Sequence, residues 1–362
     1  MICKKVLLLL IIFSFASCKK ESFEKKDIIS LHNISLDVPF YFGEPNIPSN
    51  NPLTKEGIEL GRHLFYDKML SLDSSVSCGS CHIQKFGFSD TTQFSEGVNN
   101  QHTKRKSMGL SNLAWQDTFF WDGRSNSLED QVLFPLESAV EMNLNRVEAV
   151  HRLSNNSYYK AAFKEVFNTE TITPSLLAKA IAQFERTLIS GKSKYDLYKT
   201  GLVSLTSAEL RGEKLFYIHP IPNFQLRGGN CGDCHSGLLT TNNEFSNNGL
   251  DSIFEQDTGL EQTTKILSDK GKFKIVSLRN VVLHPPFMHD GRFKTLEEVL
   301  DHYNEHIRIS TTLDPLIKLG KNDESLNTLG LTAQEKLDII SFLKTLTDES
   351  FIKNEQFSDP FN

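Results

Sequence analysis

Two copies of one five-residue pattern constrain this chain more than any other feature. Residues 78–82 read Cys-Gly-Ser-Cys-His and residues 231–235 read Cys-Gly-Asp-Cys-His. Cys-x-x-Cys-His is the attachment signature of a c-type haem. On one helical turn the two thiols reach the two vinyl groups of a haem, and the next imidazole reaches its iron. A structural zinc site would want four ligands per ion, and no second Cys pair stands near either motif. A thioredoxin-like redox pair has no need of the trailing His that both copies carry. The sequence therefore predicts two covalently bound haem c groups on Cys78, Cys81, Cys231 and Cys234, with His82 and His235 as iron ligands.

The chain holds six Cys, which in principle allow three disulfides. The other two lie in the N-terminal segment. Lys4 and Lys5 precede an apolar run from Val6 to Phe15, followed by Ala16, Ser17 and Cys18. That run is too short to span a bilayer and reads as an export leader. The pattern resembles a lipoprotein signal over residues 1–18, with Cys18 as the acylated residue; an ordinary secretory leader is the alternative. Export suits a chain whose haems are attached outside the cytoplasm, and the protein is expected to face the periplasm from a membrane anchor. Residues 19–50 are polar with Pro39, Pro45 and Pro48, and read as a tether. A net charge of −6 argues against a nucleic-acid partner, which needs clustered Lys and Arg.

The rest is an internal duplication. Gly61-Arg-His-Leu-Phe-Tyr66 precedes the first motif and Gly212-Glu-Lys-Leu-Phe-Tyr217 the second. Residues 110–124 match residues 278–292 without a gap, both ending in Asp-Gly-Arg. Each half closes on a helical pattern: residues 172–188 with Thr173 and Pro174 at the start, and residues 331–346 with Thr332 and Glu335 spaced as a capping box. Strand signals are sparse. The expected fold is mainly α, with two tandem cytochrome c-like domains at 51–200 and 201–362, the boundary falling near 191–204.

The differences between the halves bear on function, because haem chemistry depends on the sixth iron position. Residues 295–306 read as a helix with Leu296, Val299, Leu300 and Tyr303 on one face. Tyr303 is thus a candidate second ligand of the second haem. A core tyrosine is the alternative, and His289, His302, His306 and Met288 are competing ligands. The repeat partner of Tyr303 is Pro135, which cannot bind iron, so the first haem is expected to be open. Glu129, after the first Asp-Gly-Arg turn, is a candidate acid–base group for splitting a peroxide bond. Its alternative is a solvated first-turn residue, as Glu297 in the other half suggests. Trp115 and Trp121 are candidate electron relays, and His102 a candidate removable ligand.

Both Cys-x-x-Cys-His motifs, Phe120-Trp-Asp-Gly-Arg124 with Leu128-Glu129, and Pro286-Phe-Met-His-Asp-Gly-Arg292 with Leu296-Glu-Glu resemble the bacterial di-haem cytochrome c peroxidase family, including its MauG branch. The likeness runs from about Pro52 to Leu346. It implies a peroxidatic first haem, an electron-transfer second haem and Glu129 as the distal acid. Tyr303 takes the place of the Met ligand of typical members, as in the MauG branch. Hydrogen peroxide is the implied substrate, a small cytochrome c or copper protein the implied electron donor, and a homodimer an admissible assembly. The alternatives are a MauG-like oxidase acting on a partner protein and a non-enzymatic di-haem electron carrier. The likeness also implies one calcium ion between the domains, although Lys106 stands where the family has Asn and His284 where it has Thr, with Pro286 retained. The family's distal Gln, ten residues before the acid, falls on Phe119, and His102 is offset from the distal His position.

Overall fold

The structure is a computed structural model that describes residues 31–325 and 328–362. The leader, with Cys3 and Cys18, lies outside the described residues. In chain order the helices are α1 (Lys55–Tyr66), α2 (Cys78–Cys81), α3 (Leu128–Gln131), α4 (Leu133–Glu137), α5 (Arg146–Ser154), α6 (Ser157–Phe167), α7 (Pro174–Arg186), α8 (Lys194–Lys199), α9 (Ser207–Tyr217), α10 (Glu261–Thr264), α11 (Leu296–Glu305), α12 (Pro315–Leu319), α13 (Ala333–Lys344) and α14 (Glu349–Ile352). Extended structure among the described residues is one short antiparallel pair, Phe245–Ser246 with Phe273–Lys274, and isolated bridges. The fold is mainly α, as expected.

Local signals set the helix ends. Thr54 Oγ1 accepts from Gly57 N at 3.0 Å to start α1. Thr173 Oγ1 accepts from Leu176 N at 3.3 Å and Pro174 fills the first turn of α7, where its missing N–H costs nothing. Thr332 and Glu335 close the capping box of α13: Glu335 N donates to Thr332 Oγ1 at 3.3 Å and Thr332 N to Glu335 Oε2 at 2.8 Å.

The duplication is visible in how these helices pair. Helix α1 packs on α7 and α9 on α13, in matching fashion. Gly61 lies at the first crossing, where a Cβ would stand 1.9 Å from the Ala180 carbonyl oxygen. Gly212 lies at the second, where a Cβ would stand 1.9 Å from the Asp338 carbonyl oxygen. Only a residue without a side chain lets the backbones approach this closely. Beside each crossing one aromatic pair fills the core: Phe65 with Phe184 at 5.3 Å between ring centres, and Phe216 with Phe342 at 5.1 Å.

Each half has its own hydrophobic core, but the chain does not divide cleanly. Phe351 and Phe357, near the C-terminus, pack in the first core beside Phe88. Tyr195, on α8 inside the segment read as a boundary, belongs to the second core. A fully buried pair, Arg279 to Asp196 at 2.6 Å, anchors α8 to the second half. Arg105 joins the halves, reaching Asp122 and Asp257 at 2.7 Å each. Residues 31–50, expected to be tether, are docked instead. Asn46 N donates to Ala114 O at 2.7 Å, Tyr41 Oη to Gly191 O at 3.1 Å, and buried Phe42 meets Trp115 edge-on. Aromatic burial outweighs the polar, proline-bearing composition there.

The crossings yield a stability test. Gly61→Ala and Gly212→Ala each force a methyl group into a backbone carbonyl, and overpacking of this kind costs about 1–3 kcal/mol. Both variants are expected to lower the thermal unfolding midpoint of the haem-loaded protein, which calorimetry reads directly.

Candidate haem cavity and active site

The first motif forms the short helix α2, and His82 N donates to Cys78 O at 2.9 Å. The second makes the same turn, His235 N donating to Cys231 O at 2.8 Å. In both, the imidazole Nδ1 is engaged by main-chain carbonyls: His82 with Phe88 O at 2.9 Å, and His235 with Val276 O at 3.1 Å and Thr240 O at 3.2 Å. This bonding fixes the tautomer and leaves Nε2 unprotonated for a metal. Burial lowers both imidazole pKa values, that of His235 to about 4, so the rings stay neutral.

All four cysteines are free. Burial pushes Cys81 and Cys234 up to about 11 and Cys231 to about 12, and raises Cys78 as well. A redox-active Cys-x-x-Cys pair needs the opposite, a lowered thiol pKa. Among the described residues no group of three or more His, Cys, Asp or Glu is placed to hold a metal ion.

Both motifs open on one cavity of about 1310 Å³, lined by Cys81 and His82 from one half and Cys231, Cys234 and His235 from the other. It also holds a buried ammonium. Lys274 Nζ donates to Thr118 Oγ1 at 2.9 Å and Asn243 O at 3.5 Å, with no carboxylate partner among the described residues. Burial lowers its pKa to about 8. An unpaired buried cation calls for an anion from the cavity, and a haem carries two carboxylates. Thiols, neutral imidazoles, volume and this cation together fit haem.

The two ends of the cavity differ. At the second motif Tyr303 on α11 lines the wall, and its Oη accepts from Asn248 Nδ2 at 3.1 Å. Burial and the nearby Cys231 and Cys234 raise its pKa to about 12, against the Asn248 hydrogen bond. Met288 and His289 also line the cavity, whereas His302 Nε2 is tied to Asn248 O at 3.0 Å and His306 is exposed. At the first motif the wall carries Pro135, Ser138, Gln131 and Glu141. Burial raises the Glu141 pKa, with Ser138 and Arg124 opposing, and its charge lies close enough to raise both Cys78 and Cys81. Glu141 sits on the turn after α4, where Val98 N donates to its carbonyl at 2.9 Å. A Cβ on Gly97 would stand 2.6 Å from that same oxygen, so glycine permits the contact.

Glu129 is not at the cavity. Its carboxylate makes a two-pronged pair with Arg186, at 2.7 and 2.9 Å, and accepts from Asn51 Nδ2 at 2.6 Å. Burial would raise its pKa, but Arg186 and Asn51 more than offset this and hold it below the ordinary carboxylate value. A carboxylate engaged on both oxygens has no proton to offer. A third acid, Glu185, is buried on α7 and does not line the cavity, although its charge also raises Cys78. His102 is exposed and does not line the cavity.

The profile described as di-haem cytochrome c peroxidase matches residues 55–204. The methylamine utilization protein MauG of Methylorubrum extorquens is 33% identical over 308 residues, covering 83% of this chain and 81% of that protein. The chain belongs to the di-haem cytochrome c peroxidase family. The cytochrome-c peroxidase IdrP1 of Pseudomonas sp. (strain SCT) is 32% identical over 333 residues, covering 83% of each. A solved structure described as a MauG-like protein associated with microbial copper homeostasis superimposes with a TM-score of 0.82 at 34% identity, over 91% of this chain and 100% of that one. The protein is an oxidoreductase of the peroxidase type, and its family implies two haem cofactors.

Glu129, the acid expected from the resemblance, is off the cavity wall, whereas Glu141 is on it. Gln131 stands ten residues before Glu141 and also lines the cavity, the spacing expected for Phe119 and Glu129. Phe119 also touches the cavity but is a buried core residue. Calcium does not fit the place expected for it, because the Lys106 ammonium is buried there in contact with Asp90.

Glu129 and Arg186 predict a pH signature. The lowered folded pKa of Glu129 means its contribution is complete above the ordinary carboxylate range and is lost as pH falls through the lowered value. Glu129→Gln is expected to cost about 1.5–3 kcal/mol at neutral pH, as for a hydrogen-bonded charge. Denaturant titrations should show that difference shrinking in acid.

Proposed function

We propose that the protein reduces hydrogen peroxide to water at the first-half haem, with electrons arriving through the second-half haem. The observation that carries this reading is the asymmetry of the cavity: Pro135 and Glu141 at one motif, Tyr303 at the other. The haems, held covalently by Cys78, Cys81, Cys231 and Cys234, supply the redox chemistry, and the reaction consumes two electrons and two protons per peroxide. Pro135 offers no ligand and leaves room beside His82. Glu141, its pKa raised by burial, would exchange a proton with the peroxide as the O–O bond breaks, and Gln131 would orient the bound molecule. Asn248 donates to Tyr303 Oη and so supports the phenolate form that would bind iron; a hard oxygen ligand lowers haem potential relative to a thioether. Trp121 lines the cavity and is the proposed relay, fixed by its Nε1–H donating to Lys106 O at 2.8 Å.

The remaining features fit an exported enzyme. No helix among the described residues is long and apolar enough to cross a membrane. Anchoring would rest on acylated Cys18, with the catalytic unit facing the periplasm. A small cytochrome c or copper protein is the proposed donor.

A second reading, oxidation of residues on a partner protein, is favoured by Tyr303 and by the likeness to MauG and the MauG-like structure. Peroxide consumption with reduced cytochrome c, with and without a candidate protein substrate, separates the two. In the haem-loaded protein Glu141→Gln is expected to slow peroxide turnover by roughly 10²–10⁴, while Glu129→Gln stays near wild type. Unaltered turnover in Glu141→Gln would remove it from the mechanism. A haem spectrum that peroxide leaves unchanged would favour the electron-carrier reading over both.

A further inference from the structure

Lys106 lies at the seam between the halves and is 4% exposed. Its Nζ donates to the Asp90 carbonyl at 2.6 Å and to Ser89 Oγ at 3.4 Å, and it is ion-paired with the Asp90 carboxylate. Asp90 is fixed in turn by Thr92 Oγ1 at 3.0 Å and Ser95 Oγ at 2.5 Å. The main chain of Lys106 is held from both sides. Its N–H donates to His289 O at 2.8 Å, and its carbonyl accepts from Trp121 Nε1 at 2.8 Å. Trp121 and His289 then meet edge-on at 6.4 Å between ring centres. One residue thus ties a loop of the first half, the 284–289 segment of the second half and Trp121.

The charge at this point is monovalent and built into the chain. Each hydrogen-bond acceptor of the ammonium belongs to Ser89 or Asp90, and both line it from the same loop. A calcium ion would need six to eight oxygen ligands. At this position the chain offers a cation in place of the amide oxygen that the family resemblance leads one to expect. The neighbouring His284 side chain, near Gly87 and Gly109, feels the same positive charge. A divalent ion beside Lys106 would be repelled by it and would have to displace it from Asp90.

We propose that Lys106 is the resident cation of this seam, and that the protein holds no calcium between its halves. This is independent of whether peroxide or a partner protein is the final substrate. It makes Lys106 a positioning residue for Trp121 and His289, acting through its backbone.

The test uses the haem-loaded protein after exchange over a chelating resin. Metal analysis should find substoichiometric calcium in the wild type. Its absorption spectrum and thermal midpoint should not differ between EGTA and excess calcium chloride. Lys106→Asn, which restores an oxygen and removes the charge, should bind calcium at least tenfold more tightly than the wild type, with a calcium-dependent midpoint. Lys106→Met, which supplies no oxygen, should be destabilised and unresponsive to calcium. One calcium per wild-type chain surviving the exchange would overturn the proposal, as would a Lys106→Asn protein with no gain in calcium affinity. If Lys106→Asn fails to fold, the wild-type calcium content still decides.

Discussion

Two helix crossings set the rest of this molecule. Gly61 on α1 meets the backbone of α7, and Gly212 on α9 meets the backbone of α13, each so closely that a single methyl group would collide with a carbonyl. The haem motif of each half follows shortly after its crossing helix. The aromatic pairs beside the crossings, Phe65–Phe184 and Phe216–Phe342, fill the space that the short interaxial distance leaves. The same geometry built twice therefore presents two imidazoles to one cavity.

Onto this repeated frame the chain grafts unlike chemistry. The frame needs Pro135 and Tyr303 only as wall residues, so their identities are free to differ. One end of the cavity then carries a half-buried acid with Pro135, and the other a phenol supported by Asn248. Between them Arg105, Lys106 and Trp121 hold the halves together through charge and main-chain hydrogen bonds. The seam is polar and buried, and the charges of Arg105 and Lys106 are paired within the protein. That arrangement suits a junction that must keep two redox centres at a fixed separation.

Much of this was legible beforehand because the signals are local. The haem motifs sit on single turns, the caps of α7 and α13 depend on residues within four positions, and the duplication repeats whole segments. The helix carrying Tyr303 follows from its own periodicity. The docking of residues 31–50 was not legible, since it depends on Phe42 finding Trp115 and on Asn46 finding Ala114. Nor was the return of Phe351 and Phe357 to the first core, a contact across nearly the whole chain.

The choice between carboxylates shows the division most clearly. By itself the sequence determined a mainly α chain and a twofold repeat with two haem motifs, and the acid it pointed to was Glu129. Glu129, in the first turn of α3, and Glu141, on the turn after α4, are only twelve residues apart, and composition does not separate them. Their tertiary surroundings differ. Asn51 and Arg186, 78 and 57 residues away in sequence, converge on Glu129 and hold it charged. Glu141 is left beside the cavity with burial raising its pKa. A carboxyl group's proton affinity is a property of its neighbours, and those neighbours are assembled only by folding.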